Sequence, residues 1–235
     1  MNPPSVGRIL PVLGALVLAT SAHAANPFVE LPADFASTPA HAYAAMEAAT
    51  CLQALDERGI AYEQATGGPL VDAPVLLTAP LHDVTFMHVH PRASGAVLDC
   101  RLLLALDDFA RVLRDHGISE VGFVAAYRPD RTGKAKPGQR HPAGLAMDIA
   151  WFRRDDGAKL VIDTDYDGRV GAKTCGKRAQ SPRQDNAHGI ELRNLVCAVA
   201  KERLFHLFLT PNYGRDHHDH VHVEVRRNVR WFLVQ

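Results

Sequence analysis

No stretch of this chain is long and apolar enough to serve as a permanent membrane helix, which needs roughly 18 uninterrupted apolar residues. The longest apolar run, in the leader MNPPSVGRILPVLGALVLATSAHA, extends only from Ile9 to Ala19. Excess charge is missing too: 26 Lys and Arg balance 26 Asp and Glu, which removes the electrostatic ground for a nucleic-acid partner. Cysteine is scarce, and Cys51, Cys100, Cys175 and Cys197 include no C-x-x-C pair, which argues against a zinc knuckle or a thioredoxin-like redox site. No internal repeat or long linker divides the chain. With 47% hydrophobic and 7% aromatic residues, the composition is that of a globular domain with a real core.

The leader has the form of a secretory signal peptide: Arg8 is the positive region, the apolar run follows, and Ala22-His23-Ala24 is a small-x-small cleavage site. Cleavage after Ala24 predicts a periplasmic or secreted protein without membrane insertion, with residues 25–235 as one domain. Loss of Arg8 leaves 25 basic against 26 acidic residues. No cysteine follows the apolar run for lipid attachment. An even number of cysteines in an exported chain favours disulfides. Of the three connectivities, pairing nearest in sequence gives Cys51–Cys100 and Cys175–Cys197.

Apolar spacing predicts a helix over His41–Leu55, through Tyr43, Met46, Ala49, Leu52 and Leu55, with Gly59 as its stop. A stronger amphipathic helix is predicted from Leu98 to Asp115, with Leu102, Leu106, Phe109 and Leu113 on one stripe and a polar face that needs no functional reading. Val121–Ala126, Leu145–Phe152 and Leu204–Leu209 read as strands, and Ile190–Arg203 as a helix. Helices early and mostly strands later predict an α+β domain with a central antiparallel sheet and flanking helices.

The chemistry concentrates near the C-terminus in HHDHVHVEV, residues 217–225. From His220 on, the period is two: His220, His222 and Glu224 share one strand face, and Val221, Val223 and Val225 the other. Upstream, HPAGLAMD places His141 in a turn and Asp148 on the strand that follows. Asp148 is expected to share its face with Ala146 and Ala150, while Met147, Ile149 and Trp151 face the core. A catalytic zinc site needs about three such protein ligands and an open fourth position.

His141-x-x-Gly144-x-Ala146-x-Asp148, followed much later by a His-x-His pair, resembles the signature of the zinc D-alanyl-D-alanine peptidases, murein endopeptidases and Hedgehog-type domains. RHPAGLAMDIAWF followed by LTPNYGRDHHDHVHVEV most resembles the bacterial extensin-like proteins of that superfamily. The likeness is clearest from Cys100 to Val225 and is carried before that by Ala49-Thr50-Cys51-Leu52. It implies a Hedgehog/D-Ala-D-Ala-peptidase-like zinc site with His141, Asp148 and His222 as ligands. His220 then polarises the water or stabilises the transition state. His217 matches an active-site histidine of the endopeptidases, and Asp219 stands where the carboxypeptidases carry a glutamate base; these two remain alternatives. Tyr127-Arg128 matches a Tyr-Arg-Ser turn, with Arg128 facing a substrate carboxylate or carbonyl. Gln139 stands in place of a serine, and Pro129 in place of the extensin-like cysteine.

Two other motifs compete for attention. His88-Val89-His90 is a second His-x-His, but no acidic or histidine partner stands at a recognised spacing, so it reads as a solvated strand face. Asp163–Gly168 begins like a calcium loop, yet its twelfth position is Thr174 rather than a bidentate glutamate, so it reads as an acidic turn. VRRNVR, from Val225 to Arg230, reads as a solvated strand end. The resulting expectation is a zinc metallopeptidase acting on peptidoglycan or wall peptides. The alternatives are a non-catalytic zinc-containing wall-binding module and, more remotely, zinc scavenging by a histidine-rich surface.

Overall fold

The computed structural model describes residues 26–90, 96–130, 133–134 and 140–235. The expected leader Met1–Ala24, with its expected cleavage site, and Gln139 lie outside the described residues. Strand β1 (Val29–Glu30) and helices α1 (Pro39–Ala45) and α2 (Ala48–Glu57) come first. Strands β2 (Tyr62–Gln64), β3 (Pro74–Leu77), β4 (Thr85–His88) and β5 (Leu98–Asp99) lead into α3 (Cys100–Asp115) and β6 (Ile118–Ala125). Next come β7 (Ala146–Arg154), β8 (Lys159–Val161), α4 (Ile162–Asp165) and α5 (Ala187–Glu202), then β9 (Leu207–Leu209), β10 (Val221–Glu224) and β11 (Phe232–Val234).

The fold is α+β with flanking helices, but its central sheet is mixed rather than antiparallel. The order is β1-β11-β9-β10-β7-β6-β4, with β8 beside β7, while β2-β3-β5 form a small antiparallel sheet. β4 runs parallel to β6, and β11 parallel to β9. The first departure follows from α3, which lies between β4 and β6 in the chain and carries it back to the starting end of the sheet. In the second, β10 takes one edge of β9 as an antiparallel partner, and a further reversal brings β11 to the other edge.

Met147 and Ile149 of β7 and Val221 and Val223 of β10 enter one core with Leu102, Leu106 and Phe109 of α3 and Leu192, Val196 and Val199 of α5. Because strand side chains alternate, Asp148, His222 and Glu224 project from the opposite face. The period of β10 therefore decides which side of the sheet carries chemistry.

Trp151 departs from the expected facing. Gly122 pairs with Trp151 but Phe123 pairs with Ile149, which leaves Ala150 as an extra residue in β7. This bulge reverses the alternation, so Phe152 rather than Trp151 joins the core. Trp151 instead lies over Gly122, where a Cβ would overlap the indole.

The single helix expected over His41–Leu55 is two helices, broken at Met46 and Glu47, which are both extended. The break leaves the Met46 carbonyl free to accept from Arg101 Nε at 2.8 Å. Arg101 is wholly buried, and it also pairs with Asp99 at 2.9 Å and Asp72 at 2.8 Å. Unpaired, such a charge would be strongly destabilising. The polar face of α3 is solvated at Arg111 and Asp115, but Asp107 and Asp108 are buried and held by Arg58 at 2.9 and 3.2 Å. The disulfides Cys51–Cys100 and Cys175–Cys197 both form. They join α2 to α3 and the loop before α5 to α5. Among the described residues no helix is long and apolar enough to cross a membrane.

Candidate metal centre

The site is assembled on two neighbouring strands and one turn. Asp148 on β7 and His222 on β10 are direct partners across an antiparallel ladder, so their side chains leave the same sheet face side by side. His141 opens a short 3-10 turn, His141–Ala143, that ends at Gly144 with φ +66°. A side chain at residue 144 would be strained in that conformation and would put its Cβ 2.7 Å from the Asp99 backbone nitrogen. That nitrogen donates to the Gly144 carbonyl at 2.8 Å. The turn is thus docked on the N-terminus of α3, beside the Cys51–Cys100 bridge.

His141, Asp148 and His222 can each offer one ligand atom, all within 4.8 Å of one another, and the group could hold a metal ion. Asp148 Oδ1 lies 3.2 Å from His141 Nε2 and 2.8 Å from His222 Nδ1. The remaining polar atoms are engaged from outside. His141 Nδ1 donates to the Ala126 carbonyl at 3.0 Å, and Asp148 Oδ2 accepts from Arg128 at 2.7 Å. His222 Nε2 donates to Glu224 Oε2 at 3.0 Å. Such outer partners fix tautomer and ring orientation at metal sites, so this donor set suits a bound cation.

Electrostatics agree with that fit. Burial alone would raise the Asp148 carboxyl, but the hydrogen bonds from His141 and His222 hold it far below the ordinary carboxylate range. Burial alone would lower His222; contacts with Asp148 and Glu224 instead raise it to about 9. The cluster therefore holds a proton between His222 and Asp148, which a metal bound there would displace.

The other expected residues converge here as well. His220 precedes β10 on the His222 face, with Nε2 3.6 Å from Asp148 Oδ1. It is outside the mutually close ligand group. Asp219, 54% exposed at its side chain, accepts from His220 Nδ1 at 2.7 Å. The His217 ring centroid lies 5.0 Å from that of His220 and 6.0 Å from that of His222. Burial, with His220 and His222 nearby, pushes its pKa down to about 4. The Arg128 side chain is 60% exposed while one arm holds Asp148, so the rest of its guanidinium faces outward.

No family model matches the chain, and neither a curated protein nor a solved structure matches it.

Two contributors were not given a role by the sequence. Glu224 was placed on the right face by its period of two, but no motif distinguished it from a solvated strand carboxylate. Tyr213, whose ring meets His217 at 5.1 Å, gave no signal. The competing motifs do not join the site. His88 accepts from the His90 backbone at 2.9 Å and rests on Phe123, and neither histidine belongs to a metal-holding group among the described residues. In the acidic stretch, Asp165 accepts from Val161 at 2.7 Å and Asp167 from the Arg183 backbone at 2.6 Å. Asp165 thus serves as a local acceptor, and Asp167 ties its loop to the segment at Arg183.

Proposed function

We propose that the protein is an exported zinc-dependent hydrolase of peptidoglycan peptides, of the D-Ala-D-Ala carboxypeptidase or endopeptidase type, built on a Hedgehog/D-Ala-D-Ala-peptidase-like zinc site. One observation carries the reading: two imidazoles and one carboxylate, each oriented from outside, converge within 4.8 Å while His220 stands beside them. Two nitrogens and one oxygen suit zinc, and three protein ligands are the number found in hydrolytic sites. The paired disulfides fit an oxidising compartment such as the periplasm.

Bound zinc supplies Lewis-acid polarisation of a carbonyl and lowers the pKa of water toward about 7. The chain's own groups do the rest. His220 donates from Nδ1 to Asp219, which leaves Nε2 facing the cluster to pass a proton between the attacking water and the leaving amine. Asp219 is thus a positioning residue acting through His220. His217, neutral at pH 7, lines the site beside it. Arg128 offers its outward arm to a substrate carboxylate or carbonyl, and no side-chain nucleophile is needed.

The test is incubation of zinc-loaded protein with purified peptidoglycan, with released fragments read by mass spectrometry. New amino or carboxyl termini within the peptides support the reading. Intact peptides, with zinc bound and the protein retained on the wall material, would favour a non-catalytic wall-binding module instead.

A further inference from the structure

We infer that Glu224 is the positioning residue of the metal centre, fixing His222 as an Nδ1 ligand and thereby setting the affinity for the metal. The inference rests on the zinc reading of the site. A neutral imidazole carries one N–H, and the nitrogen left free for a metal is decided by the hydrogen bond that the other nitrogen makes. At His222 the two nitrogens face different carboxylates: Nδ1 is 2.8 Å from Asp148 Oδ1 within the cluster, and Nε2 is 3.0 Å from Glu224 Oε2 behind it. The imidazole stands between them, so Glu224 acts on the metal through the ring.

The geometry follows from the strand. Residues two apart on β10 point the same way, and the length of a glutamate lets its carboxylate reach the far nitrogen of its neighbour. Glu224 is 3% exposed and held on its other oxygen: Arg226 Nε bonds Oε1, and Arg140 Nε lies 3.7 Å from it. Arg140 directly precedes His141. The backbone joins the same segments, since Val225 donates to the Leu145 carbonyl at 3.0 Å and Leu145 to the Arg140 carbonyl at 3.1 Å. One buried carboxylate therefore orients one ligand and braces the start of the turn that carries another. A purely structural ion pair between Glu224 and the arginines would leave the orientation of His222 to chance.

The test compares the full chain with Glu224→Gln and Glu224→Ala for zinc affinity, by competition with a chromophoric chelator. It also compares the visible spectrum after cobalt substitution and the melting temperature of the metal-free protein. The parent should bind one equivalent. Glu224→Ala should bind about 100-fold more weakly and Glu224→Gln about 10-fold, the usual span for outer-partner loss; the amide carbonyl of glutamine restores part of the acceptor. The cobalt spectrum should change in both. If zinc affinity and spectrum match the parent while only the melting temperature falls, Glu224 is a structural ion pair and the inference is wrong. If Glu224→Ala does not fold, the near-isosteric Glu224→Gln decides alone. A parent that binds no zinc overturns the site reading itself, and this inference with it.

Discussion

His222 and Asp148 stand directly opposite each other on neighbouring antiparallel strands, with His222 Nδ1 2.8 Å from Asp148 Oδ1. The pairing is a register effect. Shifting β10 by one residue would carry His222 into the valine core and put a valine opposite Asp148, so the centre depends on the same alternation that builds the sheet.

The His220–Asp219 pair predicts a graded loss of turnover. His220→Ala should keep zinc and lose about 10²–10⁴-fold in rate, the scale for removing a general acid–base group. Asp219→Ala should lose roughly 10–100-fold, as expected when a catalytic group is misplaced rather than removed. Single-turnover hydrolysis of wall peptides with matched zinc loading checks both. Parent-like turnover by His220→Ala would reduce the cluster to a metal anchor.

Gly144→Ala is expected to destabilise the fold by more than about 2 kcal/mol, since strain at positive φ adds to the collision with the Asp99 backbone. Because that collision displaces the His141 turn, zinc affinity should fall along with the denaturation midpoint. An alanine variant with normal affinity and normal stability would show that the turn is not pinned on α3.

His206 predicts a further acid sensitivity, behind the Glu224–Arg226 pair. It is buried, stacked on Phe232 with ring centroids 5.5 Å apart, and near His41, Glu224 and Arg226. Burial, with His41 next, pushes its pKa down to about 4 from 6.5. The unfolded chain therefore takes up this proton first as pH falls. The resulting stability is fully present above about 6.5 and is lost as pH drops toward 4, on the order of 3 kcal/mol in all. Denaturation midpoints of the parent should fall more steeply across this window than those of His206→Gln. Parallel curves would remove His206 from the account.

The sequence made legible what is periodic or motif-bound. Alternation placed His222 and Glu224 on one face, the spacing from His141 to Asp148 marked a turn and a strand, and the cysteines paired as nearest neighbours. Features created by tertiary contact were not legible. The break at Met46 goes with a bond from buried Arg101 to the freed carbonyl, a contact made from another helix. The bulge at Ala150 turned Trp151 away from the core with no glycine or proline inside β7 to announce it; the glycine that makes room, Gly122, stands on the neighbouring strand. The parallel pairs β4–β6 and β9–β11 depend on how connections cross the sheet, and local pattern does not encode that.

The disulfides predict large losses on reduction. Cys51–Cys100 spans 49 residues and Cys175–Cys197 spans 22, for which loop-closure entropy gives about 4 and about 3 kcal/mol respectively. Removal of each pair by Cys→Ser substitution, followed by urea denaturation, measures them separately. The first pair should also weaken zinc binding, because it braces the helix end on which the His141 turn rests.

The most direct test of the central claim is zinc K-edge X-ray absorption of the loaded protein beside metal analysis of His222→Ala. The expected result is one zinc per chain, with two imidazole nitrogens and a carboxylate oxygen at about 2.0–2.2 Å and a further light-atom ligand from solvent, and loss of stoichiometric zinc in His222→Ala. Full stoichiometry in that variant, or a third imidazole closing the fourth position in the parent, would contradict it.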